Sequence, residues 1–235
     1  MLGHAVDWGY LRKNPALKVK HPTVNRGEME AFSPGDTSKM LRFAHGPWYT
    51  LLLVAVTTGL RRGELLSVKW SNVDWDSGRY FVKETLLRSE DGKPTFGSPK
   101  TRASIASVDL TPACLSALKE HRKAQAEAIL AAGQEYIDLD LVFASSKGTP
   151  LNPSNVVRRI FHPTLKKAGL RRIRFHDLRH TCASLLIAQG ESPKYIQRQL
   201  RHASVQMTFD TYGHLFPEMG REAAARLDVA LRLGA

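Results

Sequence analysis

Four short stretches of the sequence carry side chains suited to holding or attacking an anionic group. In Thr58-Gly59-Leu60-Arg61-Arg62-Gly63-Glu64, a glycine closes an apolar run and an arginine opens the next helix. The free backbone N–H groups and dipole of a helix N-terminus favour an anion, and Arg61 adds a guanidinium there. Glu64, one turn on, can brace Arg61, although an ordinary surface Arg–Glu pair would read the same way. In His176-Asp177-Leu178-Arg179-His180, His176 and Arg179 lie three apart and share a helix face. His176 and His180, four apart, also have a metal-ligand spacing, but the Glu of the zinc-hydrolase pattern is missing and neither cysteine supplies a second ligand pair. In the third stretch Arg201-His202 precedes Thr208-Phe209-Asp210-Thr211-Tyr212-Gly213-His214. Tyr212 there is either a nucleophile or a half-buried ring with its hydroxyl tied up. The fourth is Lys100, in the polar loop Pro99-Lys100-Thr101-Arg102, where a lysine is otherwise merely solvated.

The charge of the chain bears on these alternatives. Among 235 residues, 34 Lys and Arg stand against 22 Asp and Glu, a net charge of +12. Twelve of the basic residues fall within 147–202, where Asp177 and Glu191 are the acids. A local excess of this kind is the footprint of a polyanion binder, and a solvated basic face gives the same count. With 43% hydrophobic and 24% charged residues the chain is globular rather than disordered, and long enough for one to two domains. Its longest apolar stretch, 51–56, is too short to span a bilayer, and the first twenty residues have no signal-peptide core. Cys114 and Cys182 alone cannot build a disulfide scaffold or a four-cysteine zinc site. The expectation is a cytoplasmic protein with no membrane contact.

The elements that must position these residues are readable in outline. A short helix over 4–11 ends at Asn14-Pro15, and 18–25 reads as a linker before a domain seam near Arg26. Ser33-Pro34-Gly35-Asp36 opens a helix over 37–44, and 48–57, apolar nearly all round, predicts a buried one. Gly59 breaks it, and a helix over 61–68 follows. Asp76-Ser77-Gly78 between Trp75 and Tyr80-Phe81-Val82 signals a hairpin, and Ile105 with 108–110 adds a strand, giving a sheet of about three. Helical spacing returns over 112–132, with an edge strand over 141–143 and a helix opened by Asn152-Pro153. Further helices are predicted over 177–189, 193–200 and 218–233, the last with an apolar face of Ala223, Leu227, Ala230 and Leu231. The fold class is mainly α with a small antiparallel β-sheet (α+β).

In order, Arg61, Lys100, His176, Arg179, His202 and Tyr212 each sit in a fitting motif, and this ordered set resembles the tyrosine recombinase (phage integrase) family. The resemblance runs from about Arg26 to the C-terminus, in blocks 58–66, 99–110, 175–183 and 200–215. It is specific, because chance would have to supply an arginine box, a His-x-x-Arg box and a His…Tyr box in sequence. It implies that 26–235 is the catalytic domain and that 1–25 is a core-binding-domain remnant plus linker. It further implies that Arg61 and Arg179 clamp a phosphate, Lys100 protonates the leaving 5′-oxygen, His176 is the candidate base, His202 hydrogen-bonds a phosphate oxygen and Tyr212 attacks. Two guanidiniums can hold the charge that develops on the non-bridging oxygens without a metal ion. A phenol of ordinary pKa about 10 must lose its proton as it attacks. The resulting 3′-phosphotyrosine keeps the bond energy, so a second DNA end can reseal it; no cofactor or metal is expected. The implied partners are double-stranded DNA at a recombination site and a homotetramer on that DNA exchanging the helix over 218–233.

One position departs from the family. Where it usually has glycine before the second histidine, this chain has Arg201. Glycine adopts φ > 0 readily and arginine resists it, so either the backbone differs or Arg201 bears strain and adds a phosphate contact. The competing readings are a type IB topoisomerase, a non-catalytic DNA-binding module, and a metal-dependent nuclease through His176 and His180.

Overall fold

Proline caps set the helix starts. Ser33, Thr111 and Ser192 each accept a hydrogen bond from the backbone three residues on and are each followed by proline. They open α2 (Pro34–Arg42), α5 (Pro112–Ala132) and α9 (Pro193–Leu200). The hydroxyl satisfies a free N–H, and proline's fixed φ costs nothing in the first turn. The computed structural model describes residues 2–19, 30–88, 94–97, 106–216 and 229–231. Near the N-terminus, α1 (Leu2–Asp7) buries no residue, a 3₁₀ turn (Pro15–Lys18) follows, and Trp8, Tyr10 and Leu17 lie exposed.

α3 (Pro47–Thr58) is the central helix, buried from Thr50 through Val56, and it packs against α2, α5 and α8 (Asp177–Ala188). The hydroxyls of Thr57 and Thr58 donate back to Leu53 O and Val54 O, which lets two polar residues end a buried helix. Gly59 stops it in the left-handed region at φ 63°. The helix predicted over 61–68 is only one turn, α4 (Arg62–Leu65). It ends because Val68 O accepts from Val142 N and Lys69 bridges Leu141, so long-range pairing takes the backbone away from the helix. For the same reason 141–143 is a bridge and not a full edge strand.

The predicted sheet is present as β1 (Val73–Asp74), β2 (Arg79–Phe81) and β5 (Ser107–Asp109), antiparallel in the order β1-β2-β5 with Tyr80 opposite Val108. A second antiparallel pair, β3 (Thr85–Arg88) with β4 (Pro94–Gly97), was not foreseen. It fits over α4 because Gly63 has no side chain: a Cβ there would lie 2.7 Å from Thr85 Oγ1 and 2.9 Å from Leu86 O. Beyond α5, Asn152 caps α6 (Pro153–Asn155), which runs through a π-helical stretch (Val156–Phe161) into α7 (His162–Lys167). Pro163 cannot donate back to the preceding turn, which explains the wide turn before it. α10 (Val205–Tyr212) is capped by Ser204. The helix expected over 218–233 and the loop holding Lys100 lie outside the described residues, apart from 229–231, which are helical. Among the described residues no helix is long and apolar enough to cross a membrane.

Most buried side chains form one cluster around α3, and a smaller one joins Cys182, Ala183, Ile187, Ile196, Leu200 and Tyr212. Gly59 lies between them: a Cβ on it would stand 2.5 Å from Leu200 Cδ2 and 3.4 Å from Cys182 Sγ, on a backbone that L side chains rarely adopt. Gly59→Ala is expected to cost about 1–3 kcal/mol in urea unfolding. An unchanged midpoint would contradict this close approach.

Candidate active site

Glu64 organises the arginines. Its carboxylate, 4% exposed, accepts from Arg61 N at 2.7 Å and pairs with Arg61 Nη1 at 3.0 Å, as the i,i+3 spacing predicts. It also accepts from Arg201 Nη2, 137 residues away in sequence and fully buried. Burial would raise the Glu64 pKa, but Arg201 and Arg61 outweigh it and hold the carboxyl below its ordinary value. Arg201 ends α9 in the left-handed region, at φ 55° and ψ 47°. The backbone therefore keeps the conformation that favours glycine, and the side chain turns inward to Glu64. Its Nε and Nη1 have no hydrogen-bond partner among the described residues.

Arg179, on α8, is 4% exposed and donates from Nη1 to Gly59 O at 2.7 Å and from Nη2 to Leu200 O. Two carbonyls that end α3 and α9 thus fix one guanidinium. Burial, then repulsion from Arg61 and Arg201, lowers its pKa to about 10, so it stays charged at neutral pH. His202 follows Arg201; its Nδ1 bonds Thr208 Oγ1 at 2.8 Å, leaving Nε2 for another partner. Burial, then Arg179 and Arg61, push its pKa down to about 4. The His202 ring stacks on Tyr212, 6.2 Å between centroids and 11° from parallel.

Tyr212 is 1% exposed, and its hydroxyl lies 2.9 Å from His180 Nδ1. Burial raises the phenol's pKa to about 12, with Arg179 acting against it. His176, the candidate base, stands exposed at the start of α8 and meets the His180 ring edge-on at 5.3 Å. Desolvation of its ring, then His180 and Arg179, lower it to about 4. Arg61, Arg179, His202 and Tyr212 are thus brought together, with His176 one ring further out, while Lys100 lies outside the described residues. A groove of about 720 Å³ that includes His176 is lined by Arg62, Arg172 and Arg174 together with the acids Glu30 and Asp177, and it takes up part of the local basic excess. His180, which spacing marked only as a metal partner for His176, instead faces the tyrosine. Among the described residues no group of three or more His, Cys, Asp or Glu is gathered as a metal cage. Thr208, fully buried against His202, opens the motif that ends at His214, but nothing in that motif marks it as the partner of His202.

The phage integrase family model matches residues 34–219. The chain is 31% identical to a tyrosine recombinase XerC-like protein of Caldanaerobacter subterraneus, over 96% of this chain and 62% of the relative. It is 32% identical to the ICEBs1 integrase of Bacillus subtilis, over 95% and 61%. The chain thus spans about three-fifths of the length of these relatives. Among solved structures, the Tn1549 transposon integrase in complex with circular intermediate DNA superposes with a TM-score of 0.75 at 20% identity, covering 95% of this chain and 76% of that one. XerA recombinase gives 0.59 at 24% identity, over 92% and 71%. Both share the fold described above.

The ion cluster and the buried imidazoles make stability depend on both charge and pH. Glu64→Gln leaves Arg201 buried without a counter-charge and should cost about 3–5 kcal/mol by chemical unfolding. A loss near zero would mean the pair is not buried as described. His202 titrates near 4 folded against an ordinary 6.5, so between those values the folded state binds fewer protons than the unfolded. The thermal midpoint should therefore fall as pH drops from about 6.5 to 4, with Glu64 adding to the loss below its ordinary range. His202→Gln should flatten the first part of that decline, and an unaltered pH dependence would count against it.

Proposed function

This chain belongs to the phage integrase family, and we propose that it cuts and rejoins one DNA strand at a time through a 3′-phosphotyrosine formed at Tyr212. The observation that carries this reading is the pairing of Arg61 and Arg201 on one carboxylate with Arg179 close by and itself unpaired by any acid, and with Tyr212 and His202 alongside. Three guanidiniums and one Glu leave an excess of positive charge where a phosphate would sit, and their mutual repulsion is relieved when an anion arrives.

Arg61 and Arg179 then grip the non-bridging oxygens, and Arg179, already fixed by two carbonyls, needs little reordering to do so. His202, tied at Nδ1 to Thr208, presents Nε2 to a phosphate oxygen. Tyr212 Oη attacks phosphorus, and the departing 5′-oxygen takes a proton from Lys100. His176, exposed beside the basic groove and neutral at pH 7, meets the phosphate from the solvent side. Rejoining runs the same steps backwards with a second 5′-hydroxyl as nucleophile. The substrate is double-stranded DNA at a recombination site, its neighbouring phosphates lying along Arg62, Arg172 and Arg174. The working assembly is a homotetramer on DNA in the cytoplasm, with the segment 218–233 exchanged between neighbours. Residues 1–25 form a unit separate from 26–235, a division supported by the exposure of Trp8, Tyr10 and Leu17.

Incubation with a pool of nicked suicide duplexes in EDTA, followed by SDS, should give a DNA-linked protein band. Tyr212→Phe should abolish that band and keep DNA affinity. An adduct that survives in Tyr212→Phe would overturn the assignment.

A further inference from the structure

Two imidazoles bracket Tyr212, and they differ in what they can do for it. His202 lies nearly parallel to the phenol ring, its Nδ1 is engaged by Thr208, and no hydrogen bond joins it to the Tyr212 hydroxyl. His180 meets the phenol at 61° and sets Nδ1 2.9 Å from Oη, a hydrogen bond in the ordinary range. His176 touches His180 edge-on and has no bond to Tyr212. We propose that His180 is the group that takes the proton from Tyr212, a role that rests on strand cleavage through that tyrosine.

The groups around His180 fit that role. Burial lowers its pKa, so it is a neutral acceptor near pH 7, while the phenol's raised value keeps the proton on oxygen in the empty site. The buried Asp177, on the same helix, favours the imidazolium that transfer creates; Arg174 and Arg179 oppose it. His176 on that helix and His202 across the site are pushed down to about 4 and stay neutral at that pH. As Oη bonds to phosphorus, the O–H bond breaks and the proton passes to His180 Nδ1. The P–O5′ bond breaks, and O5′ takes its proton from the Lys100 ammonium. On rejoining, the incoming 5′-hydroxyl gives its proton to the Lys100 amine, and His180 returns its own to the departing phenolate. The transfer is downhill only as attack consumes the phenolate charge, so chemistry waits for the phosphate.

A neutral His180 that accepts at Nδ1 must carry its proton on Nε2. Long-range proton–nitrogen NMR on the intact chain, with nitrogen-15 histidine and no DNA, should find that tautomer near pH 7. Its Nδ1 resonance should move in Tyr212→Phe. A proton on Nδ1 would make His180 the donor and overturn the proposal without reference to DNA. In the cleavage arm, with the nicked duplex pool, His180→Gln should slow adduct formation by about 10²–10⁴-fold, more than His176→Gln does. The defect should persist on 5′-bridging phosphorothiolate duplexes, whose thiolate leaves without a proton. Wild-type rates in His180→Gln, a larger loss in His176→Gln, or rescue by sulfur would each assign the role elsewhere. If the wild type forms no adduct at all, the strand-cleavage reading fails first and the role falls with it, whereas the NMR result still reports the contact.

Discussion

A single buried carboxylate shared by two guanidiniums sets the terms for the rest of the site. Glu64 holds Arg61 through both backbone and side chain, and it holds Arg201 from the far end of the fold. Burying charge is costly unless it is paired, and here the pairing is deliberately incomplete: Arg179 stands close enough to be repelled by both arginines. The turn at Arg201 follows from this arrangement. Left-handed backbone at a non-glycine residue is uncommon, and it is held because the side chain it carries ends on Glu64. The same turn starts His202 on its way to Thr208 and so to the stack on Tyr212. A cation cluster short of one anion favours an incoming anion, which in the proposed reaction is the phosphate.

The proposed nucleophile is stored differently. Tyr212 sits in an apolar cluster with Cys182, Ile187, Ile196 and Leu200, where its phenol is a poor acid. The imidazoles nearby are kept neutral by the burial and positive field that also prepare the arginines. Guanidiniums, imidazoles and phenol are therefore assembled with the imidazoles and the phenol uncharged. In the proposed reaction, an incoming phosphate offsets the guanidiniums and so changes that balance.

How much of this was legible in the sequence depended on the range of each interaction. The helix starts at Pro112 and Pro193 fall where the sequence puts them, whereas the helix opened by Ser33-Pro34 begins at Pro34, three residues before the expected 37, because the Ser33 hydroxyl caps Asp36 N. The Arg61–Glu64 brace is a three-residue spacing and was likewise readable. The hairpin of β3 and β4 was not, because its short strands include Pro94 and Gly97 and its fit depends on the bare backbone at Gly63. The predicted helix over 61–68 was cut short by an isolated bridge to a segment more than seventy residues away. At the site, the ordered motifs pick out Arg61, Arg179, His202 and Tyr212, which the fold brings together, but not the partners these side chains bond. Arg201 was visible as an oddity whose destination, Glu64, no local pattern reveals. His180 was seen only in relation to His176, four residues back, while its bond is to Tyr212, thirty-two residues on.

The measurement that bears most directly on the account is the identity of the residue that carries DNA. After cleavage in EDTA, the protein–DNA adduct is digested with nuclease and trypsin, and the nucleotide-bearing peptide is sequenced by mass spectrometry. The account predicts a 3′-phosphoryl nucleotide on Tyr212, within the peptide of residues 202–221. A nucleotide on any other side chain would contradict it.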